Sequence, residues 1–207
     1  MKYEWRKEEK NIYLPKQTPV LVTVPKYKFF MVEGEGDPNK EGFSENIGAL
    51  YTLSYTIRMM PKSGFTPPGY FEYTVYPLEA VWDSHEVPLE NMLLNKDAFL
   101  YKAMIRQPDF VTHELFEKAL ASAIKKVAPS ILKKVQLVEI EDGLSVQTMH
   151  IGPYDDEPAT FAKMDLFLEE NNLKRRTHTH REIYMGDPRK TAPEKLRTVL
   201  RVFVEQV

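Results

Sequence analysis

The stretch that decides the fold is His180–Pro188, with the sequence HREIYMGDP, because it places an acidic residue in the middle of a predicted strand. On a pleated strand Glu182 and Tyr184 share one face, while Arg181 and Ile183 lie on the other. The Gly-Asp-Pro sequence ends the strand, since proline fixes the backbone and cannot donate a backbone hydrogen bond. We therefore predict that the fold holds the Glu182 carboxylate beside an aromatic ring.

The composition limits the class of protein. The chain has 207 residues, 43% of them hydrophobic and 12% aromatic, which is enough to bury a core in one domain or two small ones. The net charge of -2 and the mixed order of the charges provide no broad basic face, so direct binding of nucleic acid is not predicted. The absence of cysteine excludes disulfides, a thiolate nucleophile and Cys-ligated zinc. A charged N-terminus and the lack of a long apolar run predict a cytoplasmic protein without a membrane span.

The first part of the chain predicts an arm, a strand and a helix. Residues 1–26 carry scattered prolines and are interpreted as a covering arm with one short strand at Val20–Val24. A separate strand is expected at Lys28–Gly34. Apolar residues then recur at close to helical spacing over Phe43–Ile57, and Pro61 marks the end of this amphipathic helix.

The middle of the chain is rich in aromatic residues. Tyr70–Tyr76 is predicted to be a strand that ends at Pro77, before the short apolar segment Leu78–Trp82. Another strand is expected at Ala98–Arg106, and Thr112 is predicted to cap the helix that follows it. This region therefore contributes both strands and aromatic side chains.

The last part of the chain predicts a hairpin, a helix and two further strands. Val135–Glu141 and Leu144–Ile151 are joined by Asp142-Gly143, a sequence typical of tight hairpin turns. A helix that has Pro158 in its first turn is expected, and a closing strand is expected at Leu196–Val204.

The order strand, turn, helix and strand with a central glutamate occurs twice, over residues 28–82 and 146–188. Setting Phe71-Glu72-Tyr73 against Arg181-Glu182-Ile183 aligns the two copies. We predict an α+β fold of two pseudo-symmetric βαββ modules with antiparallel sheets and a central aromatic ligand pocket. The domain covers residues 27–207, with copies at about 27–110 and 135–207.

Two long sequence segments resemble those of the GyrI-like small-molecule-binding family. They are Gln147–Pro158 (QTMHIGPYDDEP) and His180–Leu196 (HREIYMGDPRKTAPEKL). The resemblance extends upstream to about Lys26 and is to a stand-alone bacterial branch of the family. It rests there on three further segments, Leu50–Tyr55, Pro77–Trp82 and Ile105–Val111. Leu78–Trp82 departs from the Glu-Gly-Leu-Trp pattern usual in the family but keeps Glu79 and Trp82.

The resemblance implies paired βαββ modules around an aromatic pocket with one essential glutamate, which corresponds to Glu182. In multidrug-responsive regulators of the family this glutamate faces cationic, lipophilic drugs. Another member inhibits DNA gyrase. Some stand-alone members are cyclopropanoid cyclopropyl hydrolases, which open the strained cyclopropane of DNA-alkylating natural products and so imply detoxification and antibiotic resistance.

These expectations define a predicted site. Glu182 would act as general base on water, and Tyr76 or Tyr154 would donate to the oxygen anion that develops. The predicted ligand-binding residues are Trp82, Tyr55, Tyr51, Phe71, Tyr184 and Glu79. We expect Glu182 to lie, away from solvent, in a cleft that it shares with Trp82 and Tyr76.

Several alternatives remain open at this level. The domain could bind or sense drugs without turnover, or could interact with gyrase and shield it. Glu182 could be a surface residue paired with Arg181 or Arg106, and the aromatic residues could be ordinary core. His178 and His180 share a strand face as a metal pair would, but no third donor has a suitable spacing, so neither metal nor organic cofactor is predicted. A monomer and a homodimer are both compatible with the sequence.

Overall fold

Six β-strands and six α-helices form the described part of the chain, residues 2–85 and 95–207, in a computed structural model. The chain divides into two units. Unit 1 comprises Tyr27–Ile140 and the N-terminal residues up to Tyr3, and unit 2 comprises Glu4–Lys26 and Glu141–Val207. In chain order the elements are α1 (Trp5–Glu8), α2 (Lys10–Tyr13), β1 (Val20–Glu35), α3 (Glu41–Met59), β2 (Leu78–Ser84), β3 (Phe99–Gln107), α4 (His113–Ala123), α5 (Pro129–Leu132), β4 (Gln136–Ile151), α6 (Glu157–Glu170), β5 (Leu173–Tyr184) and β6 (Arg197–Gln206).

Unit 1 contains an antiparallel sheet with β3 at its centre. β3 pairs with β1 on one side and with β2 on the other, so that Met104 faces Met31 and Glu79 across the two ladders. Helix α3 packs against β3 and α4. Phe29, Met31 and Met104 form a buried apolar cluster, which follows from the alternation of apolar side chains along the strands.

Unit 2 contains a second antiparallel sheet, with β6 at its centre between β4 and β5. Helix α6 packs against β5. Its apolar side, represented by Met164 and Leu168, joins Val146, Leu200 and Val202 in a buried cluster. The amphipathic pattern of α6 therefore serves the core of this unit.

Each unit has the order of elements along the chain, strand, helix, strand and strand, that the sequence predicted. Unit 1 runs β1, α3, β2, β3 and unit 2 runs β4, α6, β5, β6, and in both the last strand lies in the middle of its sheet. The α+β class and the antiparallel pairing are confirmed. The pseudo-twofold relation and the domain boundaries stay predictions.

The predicted hairpin at Asp142-Gly143 was wrong, because β4 runs through it without a turn. A type I′ turn needs positive φ at both central residues, and here Gly143 has φ 66° whereas Asp142 does not have a positive φ. Asp142 is buried and bound by Arg181 and Arg201. These two cations hold the aspartate in the strand.

The predicted strand at Tyr70–Tyr76 was also wrong. This segment makes one isolated bridge, between Tyr73 and Tyr3, and the strand that pairs with β3 is β2, after Pro77. Glu72 therefore does not correspond to Glu182. Its side chain is 60% exposed and lies near Arg58, whereas Glu79, on β2, is buried.

The predicted N-terminal arm differs from the structure in two respects. The strands expected at Val20–Val24 and Lys28–Gly34 are one continuous strand, because the φ of Pro25 suits an extended backbone and costs it only a donor. Helices α1 and α2 were not predicted, and they bury Trp5 and Tyr13 with ring centroids 5.1 Å apart. No helix in residues 2–85 and 95–207 is both long and apolar enough to span a membrane.

Candidate functional site

Glu182 lies on β5 opposite Leu200, and its side chain is 11% exposed. His180 precedes it by two residues and therefore shares its strand face. The distance between His180 Nε2 and Glu182 Oε1 is 3.0 Å, which is a hydrogen-bonding distance. The carboxylate is thus nearly buried and held by an imidazole that is itself 22% exposed.

Arg181 points to the opposite side of β5 and does not pair with Glu182. Its Nη2 and Nε donate to Asp142 at 2.6 and 2.8 Å, and Arg201 Nη1 donates to the same carboxylate at 2.8 Å. Burial alone would raise the pKa of Asp142, but the two guanidiniums outweigh it and hold that pKa below its usual value. The alternative that pairs Glu182 with Arg181 at the surface is therefore contradicted.

Glu157 is a site residue that the sequence analysis missed. It begins α6, is 7% exposed, and offers a carboxylate oxygen that lies with His180 and Glu182 in a group of donor atoms all within 4.8 Å of one another. Burial, and then the charges of Glu182 and Asp155, raise the pKa of Glu157 to about 9. An acidic residue in the first helical turn is ordinary in a sequence, so only the packing of α6 on β5 singles it out.

Aromatic rings border this group of polar side chains. The Tyr154 and Tyr184 rings meet edge to face with centroids 6.0 Å apart, and the Phe161 ring contacts the His180 ring at 4.9 Å. Burial, and then the charges of Glu182, Glu157 and Asp187, raise the pKa of Tyr154 to about 12. Tyr154 therefore keeps its proton at neutral pH.

Six predicted site residues lie in unit 1. Glu79 is 2% exposed on β2, Tyr76 lies under the Arg106 guanidinium at 4.5 Å, and Trp82 is 9% exposed. Aromatic members of this set contact other rings of unit 1: Trp82 contacts Phe43, Phe99 and Tyr101, Tyr51 contacts Tyr55, and Phe71 contacts Tyr3, Tyr73 and Phe110.

The structure therefore gathers part of the predicted site in unit 2. Glu182, Tyr154 and Tyr184 were predicted, whereas Glu157 and Phe161 were not, and His180 was considered only as a partner of His178. We call Glu157, His180 and Glu182 the acidic cluster. Its carboxylates can accept protons or hold a cation, and the adjoining rings favour lipophilic molecules. The roles of the unit 1 residues and the cleft shared with Trp82 and Tyr76 stay predictions.

Comparison with known proteins identifies the relatives of this chain. The sequence profile of the GyrI-like small molecule binding domain matches residues 17–204. A hydrolase from Listeria innocua is similar at 39% identity and TM-score 0.88, over 98% of this chain and 100% of that one. Another solved structure of a hydrolase from Listeria innocua (40%, TM-score 0.90, 99% and 100% covered) and one of an uncharacterized conserved protein from that organism (40%, 0.90, 98% and 100%) are also similar. No curated protein matches the chain.

Proposed function

Because the chain belongs to the GyrI-like small-molecule-binding family, we propose that it binds bulky lipophilic molecules at Glu182 and hydrolyses those that carry a strained cyclopropane. The observation that carries the proposal is the nearly buried Glu182 carboxylate, 3.0 Å from His180 Nε2 and adjoining the tyrosine pair of unit 2. Two solved relatives at 39% and 40% identity, described as hydrolases, support the enzymatic part.

In the proposed reaction Glu182 accepts a proton from water while the water oxygen attacks a cyclopropane carbon. One carbon–carbon bond of the ring breaks, and its electron pair moves to a conjugated oxygen of the substrate. Tyr154 donates its hydroxyl proton in a hydrogen bond to that oxygen, which stabilises the developing anion. His180 positions the Glu182 carboxylate through the 3.0 Å contact.

The substitution Glu182→Gln tests this role. A glutamine keeps the shape of the side chain but cannot accept the proton, so we expect kcat for a cyclopropane-bearing DNA-alkylating compound to fall about 10²- to 10⁴-fold. Affinity, measured by calorimetry, should change little. Glu169→Gln, at an exposed position of α6, is the matched control and should retain full activity. Wild-type turnover by Glu182→Gln would remove the general-base role.

A binding module without turnover is the second candidate, and the acidic cluster favours it specifically. The Glu182 carboxylate and the aromatic rings beside it suit a lipophilic cation through charge and cation–π contact. This function predicts that wild-type protein binds such a cation but leaves the cyclopropane compound intact.

Inhibition of gyrase supercoiling by a protein that binds neither ligand would favour an interaction role over both candidates.

Expression in sensitive cells tests the biological outcome of the proposed reaction. Wild-type protein should protect bacteria against the alkylating compound, as a detoxifying hydrolase does, whereas Glu182→Gln at equal abundance should not. Equal protection by the two proteins would mean that sequestration is sufficient and turnover is not needed.

A further inference from the structure

We propose that Glu157, His180 and Glu182 form a binding site for a divalent transition-metal ion of the Zn²⁺ type. Each residue offers one ligand atom to the acidic cluster, and these atoms all lie within 4.8 Å of one another. The proposal uses the residues of the proposed function but none of its reaction steps. It concerns what the site holds when no organic ligand is bound.

The backbone already positions the three donors. His180 and Glu182 are two residues apart on β5 and point to the same side of the strand, while Glu157 approaches from the first turn of α6, which packs on β5. Metal–ligand distances of about 2.1 Å in a tetrahedral site place neighbouring ligand atoms about 3.4 Å apart. The ligand atoms of the group, which all lie within 4.8 Å of one another, would approach that spacing when the ion binds.

The burial of Glu157 is the second observation that points to a cation. The residue is 7% exposed, and within the described residues its Oε1 has no hydrogen-bond partner. A buried carboxyl oxygen without a hydrogen-bond partner is costly, whether or not the group is charged. A divalent cation would displace the proton of Glu157, satisfy the unpartnered oxygen and offset the charges of the two carboxylates that result.

The donor set indicates the class of ion. One imidazole nitrogen with two carboxylate oxygens suits Zn²⁺ and similar transition ions, whereas Mg²⁺ and Ca²⁺ prefer oxygen ligands throughout. Three protein ligands leave a coordination position open for water. The Phe161 ring, 4.9 Å from the His180 ring, restricts the imidazole orientation, and the 22% exposure of His180 provides a route of entry.

An ion in this site would bind the Glu182 carboxylate, which is also the base of the proposed hydrolysis. An ion bound to the Glu182 carboxylate withdraws negative charge from it and so lowers its capacity to accept a proton from water. Zn²⁺ should therefore compete with the proposed hydrolysis, and removal of the ion should restore it.

Calorimetric titration of chelator-treated, dialysed protein with ZnCl₂ tests the proposal. We expect one Zn²⁺ per chain and much weaker binding of MgCl₂. Mutation of a residue that only hydrogen-bonds to a metal ligand typically weakens metal binding by about 10- to 100-fold. Glu157→Gln and His180→Gln each change a direct ligand, so each should weaken Zn²⁺ binding by at least about tenfold. His178→Gln, at an exposed position of β5, and Glu169→Gln are the matched controls and should bind Zn²⁺ as the wild type does.

The proposal is overturned if the wild type does not bind Zn²⁺, or if both cluster variants bind it as tightly as the controls. Thermal unfolding of each variant, recorded before titration, verifies that the chain is folded, and the two cluster variants provide independent readings. Because the titration contains no organic substrate, its result is separate from that of the hydrolysis assay. Hydrolysis is measured in chelator, so a failure there would count against the proposed function alone.

Discussion

The two βαββ units share an order of elements but differ in what their helices and strands bring together. In unit 1, Asn46 of α3 donates to Tyr101 Oη at 2.9 Å, and Phe43 stacks on Trp82 with centroids 5.8 Å apart. In unit 2 the corresponding helix, α6, begins with Glu157, which joins a carboxylate and an imidazole. The same framework thus supports an aromatic cluster in one unit and an acidic cluster in the other.

The two units also differ in the residue pairs that lie beside a buried glutamate, on the strands that follow these helices. β2 and β5 each carry a buried glutamate: counted over the whole residue, Glu79 is 2% and Glu182 is 8% exposed. One ladder position before the glutamate, unit 1 pairs Leu78 with Ile105, whereas unit 2 pairs Arg181 with Arg201. Two arginines directly opposite each other repel, so unit 2 depends on an anion that unit 1 does not need.

The largest effect is expected from Asp142→Asn, which removes that anion. Asp142 and Arg181 are 4% and 1% exposed, and loss of one partner of a buried ion pair leaves uncompensated charge. We expect the free energy of unfolding to fall by about 3–5 kcal/mol, measured by denaturant titration.

Asp165→Asn is the control for this prediction, because the Asp165–Arg175 pair is exposed and should contribute less than about 1 kcal/mol. Equal losses in the two variants would show that burial does not distinguish the pairs. The difference between the apolar pair of unit 1 and the arginine pair of unit 2 would then not affect the free energy of unfolding.

A smaller effect is expected in unit 1 from Gly34→Ala. A Cβ at Gly34 would collide with the Tyr101 hydroxyl and ring, and this ring contacts Phe43 and Trp82. Overpacking of this kind costs about 1–3 kcal/mol in the free energy of unfolding. A change in Trp fluorescence should accompany the loss, because the aromatic cluster must shift.

Gly48→Ala is the matched control, since a Cβ there meets nothing within 4 Å and Gly48 lies inside α3. Alanine should stabilise that helix by about 0.5–1 kcal/mol. If Gly34→Ala were as stable as Gly48→Ala, the close approach of Tyr101 to β1 would not be a constraint on the unit.

Tyr101→Phe should have an intermediate to small effect. It leaves the buried Asn46 amide without its hydroxyl acceptor, for which we expect a loss of about 1–2 kcal/mol in thermal or denaturant unfolding. Tyr55→Phe changes the same group at a side chain that is 50% exposed and should be neutral. A neutral Tyr101→Phe would mean that this hydrogen bond does not order the aromatic cluster.

The sequence predicted the elements whose signals are local, and it failed where distant residues decide. Three predictions were confirmed because each depends on neighbours in the chain. They are the helical periodicity of α3, the Thr112 cap of α4 and the end of β5 before Asp-Pro. Asp142-Gly143 was misread because Arg181 and Arg201 override its turn preference. Glu157 was missed for the same reason: only the packing of α6 on β5 gives it a role.

The smallest effect concerns the pH dependence of the Asp142 cluster. Burial is outweighed by the two guanidiniums, which hold the folded-state pKa of Asp142 below its usual value, so its contribution to stability is complete above the unfolded pKa and is lost as pH falls through the folded pKa. The difference in the free energy of unfolding between wild type and Asp142→Asn should therefore shrink below about pH 4, by at most about 1.4 kcal/mol per pH unit for one proton. Denaturant titrations at pH 7, 4 and 3 measure it. A difference that stays constant over this range would mean that Asp142 is not ionised in the fold, and the opposed arginines of unit 2 would need another source of stabilisation.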